Sequence, residues 1–447
     1  MIDSNQLLKK TGTLLTWLII LFPVFIAFFY FDHGTVNIPY YDEWGFVPFV
    51  TQWYEGKANW WIIFQPDRHY VVALQKAVIL LSAKFFHWNI RIETGGGLIM
   101  LSGIASVFMM HARRIGIFSS TFLSITFLLP VLLSLFSLRQ SENLLGPWGL
   151  SISAAVCFVM LACYFLTLSN QLPYFLGASI CALLASFSFT NGLLIWPLGF
   201  AILLIQKRTR YAMFWMVMSI LFLIIFFKFL YLFIPYTENR PPVPLTLNLL
   251  SQRFFSLLGG ALSIDKYIIT AGASGVANKA GILIAEIMGG CLFVLSLFLL
   301  WIIRKNIREY IIPISGILLS VSSCIMIAYL RANNGADQAL ASRYSIQSIL
   351  FIVSIFVIIF QLSLQQRRFS LLKYGLLTII TVSMSYSIFV EMKVMPYRRA
   401  YQQSWANKVH DYSKGSDLTN PHYTAAQIYD YAAQLDKMKM TVFKEKN

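Results

Sequence analysis

Apolar runs long enough to cross a bilayer recur along the whole chain, and no other feature limits its fold so tightly. A hydrocarbon core about 30 Å thick is spanned by roughly 20 apolar residues in a helix. Runs on this scale read at 13–30, 91–110, 116–138, 150–168, 175–189, 192–206, 211–234, 281–303, 310–330, 346–364 and 371–390. A closed β-barrel is the only other way to satisfy the backbone in lipid. It would need alternating segments of about ten residues, and none are visible. The composition agrees: 57% of residues are hydrophobic and 12% charged, against about 25% charged in soluble domains. The expected fold class is an all-α membrane protein with about eleven transmembrane helices.

The formal net charge of +16 invites a nucleic-acid reading, which the placement of the charges excludes. Basic residues cluster between the apolar runs, at Lys9-Lys10, Arg113-Arg114, Lys207-Arg208 with Arg210, Arg304-Lys305 with Arg308, and Arg367-Arg368 with Lys373. That is the signature of cytoplasmic loops. One assignment puts every cluster inside, with the N-terminus cytoplasmic, and only the turn near Asn170 lacks a positive charge. The first run lacks a small-residue cleavage site, which predicts a retained signal anchor. Residues 32–90 then form a first outer loop and 235–280 a second. The stretch Val71–Phe86 is interrupted by Lys76 and Lys84. Were it a span, Arg113 and Arg114 would land outside, so it reads as an interfacial helix. A second interfacial helix is expected at 246–262. The membrane domain is thus 1–390, followed by a soluble outer tail, 391–447. Within the tail Tyr423–Met438 reads as an amphipathic helix, with Ile428, Tyr431 and Leu435 on one stripe.

All five cysteines, Cys157, Cys163, Cys181, Cys291 and Cys324, fall inside expected spans, without metal-ligand spacing, and read as small packing residues. No Asn-X-Ser/Thr sequon occurs, which leans toward a bacterial inner membrane.

The polar residues that invite chemistry collect on the outer side. Asp42 and Glu43 stand side by side shortly after the first span, where a carboxylate suits general-base work; such a group contributes about 10²–10⁴-fold. Aromatic residues flank them, Tyr40, Tyr41, Trp44, Phe46 and Phe49, and Trp53, Tyr54, Trp60 and Trp61 follow. Sugar stacking and an interfacial aromatic belt both explain that composition. Arg68 suits a phosphate, His69 suits a proton shuttle, and Asp67 reads as the cap of the following helix. Glu142 adjoins Arg139, a plausible ion-pair partner. Asn191-Gly192 is first of all turn chemistry. Arg331 and Arg343 bracket one outer loop, and Tyr344 opens the next helix. Arg343 there is either a snorkelling anchor or a clamp on a phosphate.

A resemblance enters with four short strings: Tyr41-Asp42-Glu43-Trp44, Gln140-Ser141-Glu142-Asn143, Ser188-Phe189-Thr190-Asn191-Gly192-Leu193 and Ser342-Arg343-Tyr344. Together with the layout of residues 13–390, they are similar to the GT-C membrane glycosyltransferases, and among these to the phage-encoded O-antigen glucosyltransferases that change serotype. The resemblance implies a periplasmic-side transfer of one sugar, glucose on polyprenyl phosphate being the leading donor, to a lipid-linked polysaccharide. It implies Asp42 or Glu43 as catalytic base, a single inverting displacement, and guanidinium groups, Arg343 first and then Arg68 and Arg331, at the departing phosphate. Trp44, His69, Glu142, Asn191 and Tyr344 join these as substrate-binding residues. No cofactor is implied, and no metal, because guanidinium groups can neutralise a lipid monophosphate. The partners expected are donor, acceptor and bilayer. Competing readings are a transporter or flippase for lipid-linked sugars, a polysaccharide polymerase or ligase, and a scaffold whose tail binds a partner. A transporter would place charges at mid-membrane, whereas here they collect in loops.

Overall fold

The computed structural model describes residues 4–39, 41–67, 70–146, 148–169, 171–233, 246–263, 279–331, 336–418 and 423–444. These residues form α1 (Ser4–Gly34), α2 (Phe46–Tyr54), α3 (Ala73–Phe86), α4 (Ile90–Arg114), α5 (Thr121–Leu135), α6 (Ser141–Leu145), α7 (Trp148–Thr167) and α8 (Leu172–Ser186). They continue with α9 (Ile195–Ile205), α10 (Thr209–Phe233), α11 (Leu247–Gly259), α12 (Lys279–Ile303), α13 (Ile311–Leu330), α14 (Ser345–Gln365), α15 (Ser370–His410) and α16 (Ala425–Met438). No strand occurs among the described residues; Asp67 and Tyr70 form a lone bridge.

Nine of the described helical segments are long and apolar enough to cross a membrane. The two expected spans at 175–189 and 192–206 are not among them. They form a hairpin of short helices, Leu172–Ser186 and Thr190–Ile205. A 15-residue helix such as α8 is only about 22 Å long, short of a 30 Å core.

One apolar composition serves two environments. The hydrophobic window of α14 is 100% buried within the protein, whereas those of α1 and α10 are 22% and 17% buried. A helix apolar all round belongs at the centre, and α14 occupies it; α1 and α10 turn their apolar faces to lipid. α11, the expected interfacial helix, lies against α12, α13 and α14. Gly259 and Gly289 make the α11–α12 crossing close: a Cβ on either would collide with the backbone carbonyl of Ala285 or Phe255. Ser348 on α14 then donates to the Leu258 carbonyl and accepts from Ala261 N–H at 3.0 Å, completing the end of α11.

The two ends of the bundle differ in chemistry. At one end, Arg114 donates to Thr167 Oγ1 at 3.1 Å, Arg208 to the Leu166 carbonyl at 3.0 Å, and Arg308 to the Ile205 carbonyl at 3.1 Å. Three of the basic clusters therefore meet at a single end. At the other end a second hydrophobic core forms between loop and tail. Trp44, Val47, Val50, Val72, Ile79 and Trp88 from residues 36–90 pack with Val409, Leu418, Ile428, Ala432, Leu435 and Phe443 from the tail. Burying one such aliphatic or phenyl side chain contributes about 1.5–3 kcal/mol, so the loop and tail form one cap. The amphipathic helix α16 faces this core with Ile428, Ala432 and Leu435, while Tyr431 is half-buried. Its N-terminus is closed by a capping box between Thr424 and Gln427.

The boundary expected at 390 is not a helix end. α15 runs unbroken for 41 residues, about 60 Å, from the membrane into the cap. A buried cluster fastens it: Glu391, 1% exposed, accepts from Arg398 at 2.8 Å and from the Tyr30 hydroxyl of α1. Residue 391, which the sequence placed at the start of a soluble tail, is part of the packed bundle.

Candidate functional site

The first loop folds back over the end of the bundle because its apolar residues alternate with helix breakers. Residues Tyr41–Gly45 form a short 3-10 turn that divides the acidic pair. Asp42 is half-buried, whereas Glu43 is 2% exposed and Trp44 is 0% exposed. Trp44 lies wholly in the cap core, so it cannot stack on a sugar as expected; its large ring is what anchors the turn. Trp60 and Trp61, by contrast, are exposed and stack on each other with centroids 4.1 Å apart.

Arg68 and His69 lie outside the described residues. The flanking pair closes a tight turn, Asp67 N–H donating to Tyr70 O at 2.8 Å and Tyr70 N–H to Asp67 O at 2.9 Å. Asp67 does not cap α3 as expected. The N-cap position is Val72, with no side-chain bond. The turn instead presents Tyr70 to the bundle. Its ring stacks on Phe189 at 5.0 Å and meets Trp148 edge-on at 6.5 Å. Its hydroxyl accepts from Arg331 at 2.6 Å. Burial raises the Tyr70 pKa above the usual value, with the Arg331 charge opposing it.

Arg331 is the C-cap residue of α13, and its backbone carbonyl accepts from Arg253. Arg253 is 4% exposed on α11. Sequence reasoning missed it, because a lone arginine on an amphipathic helix reads as surface.

Glu142 and Arg343 come together from positions 201 residues apart. Glu142 does not pair with Arg139. Its Oε2 lies 3.6 Å from the Arg343 guanidinium and accepts the Arg343 backbone N–H at 3.3 Å. Asn143 Nδ2 donates to the Arg343 carbonyl at 3.2 Å, and Glu142 N–H donates to Ser342 Oγ at 3.2 Å. Two of the four short strings are thus laced side by side. The Arg343 guanidinium also donates to Gln338 Oε1 at 3.2 Å and lies 5.3 Å from the Tyr344 ring. The Glu142 carboxylate thus faces the Arg343 charge, and the Tyr70 hydroxyl faces that of Arg331.

Asn191 is buried at 5% exposure in the turn of the α8–α9 hairpin. That turn abuts the loop through Phe189 on Tyr70, and Leu74 N–H donates to the Phe187 carbonyl at 3.3 Å. Asn191 thus lies in the hairpin turn that packs against the first loop. Gly192 is required there because a Cβ would strike the Ala185 carbonyl.

The assembled geometry joins Arg331 to Tyr70 of the first loop, Arg343 to Glu142 and Arg253 to the Arg331 carbonyl, with Asp42 half-buried in the turn of that loop. Guanidinium groups gathered in this way can hold an anionic group. Set against known protein families, curated proteins and solved structures, the chain matches none.

Proposed function

We propose that the protein is an inverting, GT-C-like membrane glycosyltransferase that moves one sugar from a polyprenyl-phosphate donor to a lipid-linked surface polysaccharide. The cap faces the periplasm of a bacterial inner membrane in this reading. The observation that carries it is the pairing of Arg343 with Glu142 and of Arg331 with Tyr70, which brings two guanidinium groups to the first loop, the loop that holds Asp42. Asp42 takes the proton of the acceptor hydroxyl. The hydroxyl oxygen bonds to the anomeric carbon as that carbon's bond to the phosphate oxygen breaks, and the phosphate leaves with the electron pair. Arg343 and Arg331 face the negative charge that grows on it. A single displacement inverts the anomeric centre, whereas retention would need a second, nucleophilic carboxylate at close range. Glu43, sealed in the cap core, is the weaker candidate for the base.

The test is transfer of label from polyprenyl-phosphate glucose, and from a small panel of other polyprenyl-phosphate sugars, into a lipid-linked polysaccharide by protein in vesicles. Asp42→Asn is expected to lose about 10²–10⁴-fold while Asp42→Asn protein unfolds at the wild-type midpoint. Transfer by Asp42→Asn at the wild-type rate removes the mechanism. Movement of donor across the vesicle without transfer of any sugar replaces the enzyme with a transporter.

A further inference from the structure

Besides the packing of Trp44, the tail meets the acidic turn through a hydroxyl. Tyr423 O–H donates to the backbone carbonyl of Asp42 at 3.3 Å. A Cβ added to Gly45 would lie 2.8 Å from that hydroxyl oxygen. Gly45 has φ −61 and ψ −21, a helical conformation that alanine adopts freely, so the glycine supplies room rather than backbone freedom.

Both partners are held from behind. Tyr423 directly precedes the capped start of α16, and its ring meets Tyr431 edge-on at 5.9 Å. Around the contact, Thr51 donates to Gln434 Oε1 at 2.7 Å and Thr441 N–H to the His87 carbonyl at 2.9 Å. Asn37 donates to the Thr441 carbonyl at 3.3 Å. The turn itself begins at Tyr41 with φ 45, a left-handed conformation that a non-glycine residue keeps only when its surroundings impose it.

We infer that Tyr423 is a positioning residue for Asp42, so that the C-terminal segment sets where the carboxylate stands before Arg343. This rests on Asp42 being the base, as proposed above. The alternative role for the segment, a separate domain for an outside partner, leaves the Tyr423–Gly45 fit without a purpose.

Tyr423→Phe keeps the ring and removes the hydroxyl. Loss of one hydrogen bond of ordinary strength should speed amide exchange across residues 41–45 by about three- to tenfold. Turnover should fall by a similar factor, with the donor KM unchanged. Gly45→Ala should reproduce both effects by expelling the hydroxyl. The double variant Gly45→Ala/Tyr423→Phe should be no worse than Tyr423→Phe alone, because the ring without its oxygen leaves space for the methyl group. A contact that serves only the stability of the cap would speed exchange at 41–45 and leave turnover unchanged. Unchanged exchange at 41–45 in Tyr423→Phe, or wild-type turnover in an active enzyme despite faster exchange, overturns the inference. Exchange is read without substrate. A change in exchange with no transfer by any variant, wild type included, keeps the positioning of the turn and rejects glycosyl transfer.

Discussion

Lys76 allows the cap to be read by titration. It is 5% exposed, donates to the Gln65 carbonyl at 2.6 Å and lies 5.2 Å from the centroid of the Phe49 ring. Burial pulls its pKa down from 10.5 to about 8, with the charge of Asp67 opposing the shift. Below pH 8 the folded and unfolded chains both carry the proton, and the buried charge weakens the cap. Between about 8 and 10.5 the folded chain has released the proton and the unfolded chain has not, so stability rises with pH. The slope is about 1.4 kcal/mol per pH unit, which amounts to about 2 kcal/mol between pH 8 and 9.5. The assay is denaturant unfolding of the protein in detergent at several pH values, followed by tryptophan fluorescence, for wild type and Lys76→Met. Taking the difference between the two removes every other titrating group. Wild type should gain on Lys76→Met by that amount as the pH rises through the window. Parallel stability curves would refute the buried, proton-shedding lysine and with it the packing of α3 against the rest of the loop.

Trp44→Ala should cost about 3–5 kcal/mol, the range for deleting a large ring from a packed core, whereas Trp61→Ala at an exposed position should cost under about 0.5 kcal/mol; equal denaturation midpoints for wild type and Trp44→Ala would return Trp44 to the surface. A topology reporter placed after Asn447 and another at Lys207 should report opposite compartments, the second being the cytoplasm. The same compartment for both would contradict the separation of the cap from the arginine-rich end.

The bundle was legible because bilayer physics writes itself locally. The runs expected at 91–110, 310–330 and 346–364 became Ile90–Arg114, Ile311–Leu330 and Ser345–Gln365, each bounded by the charges or polar turns that stopped the apolar pattern. Depth was less legible: the hairpin 175–189 with 192–206 is as apolar as any span, but its helices are too short. The stripe Ile428 and Leu435 announced a buried helix face in the tail, yet nothing local named its partner, since Thr51 and Gln434 meet across 383 positions. The same holds for the site. Arg343 and Glu142 were each visible as loop charges, but their pairing, the burial of Arg253 and the role of Tyr70 arise only where α11, α13 and the first loop converge. Glu391 carried a signal that went unused, because a carboxylate that close to an apolar helix is costly unless paired, and Arg398 two turns on is its partner.

Loop and tail share one core, so they lie on one side of the membrane, and that fact constrains the path between them. Leaving the loop at residue 90, the chain runs through eight candidate spans before the tail, from Ile90–Arg114 to Arg367–His410. An even number of crossings returns it to the side it left. The short hairpin does not disturb this count. It leaves from the end where Arg208 meets Leu166 and turns at Phe187, which bonds to Leu74 at the cap end. Whether it crosses fully or turns within the bilayer, it contributes two passages or none. The cap can therefore close only if an even number of the long apolar helices between loop and tail are true spans. Misreading one of them as a surface helix would put Tyr423 and Asp42 on opposite faces of the membrane.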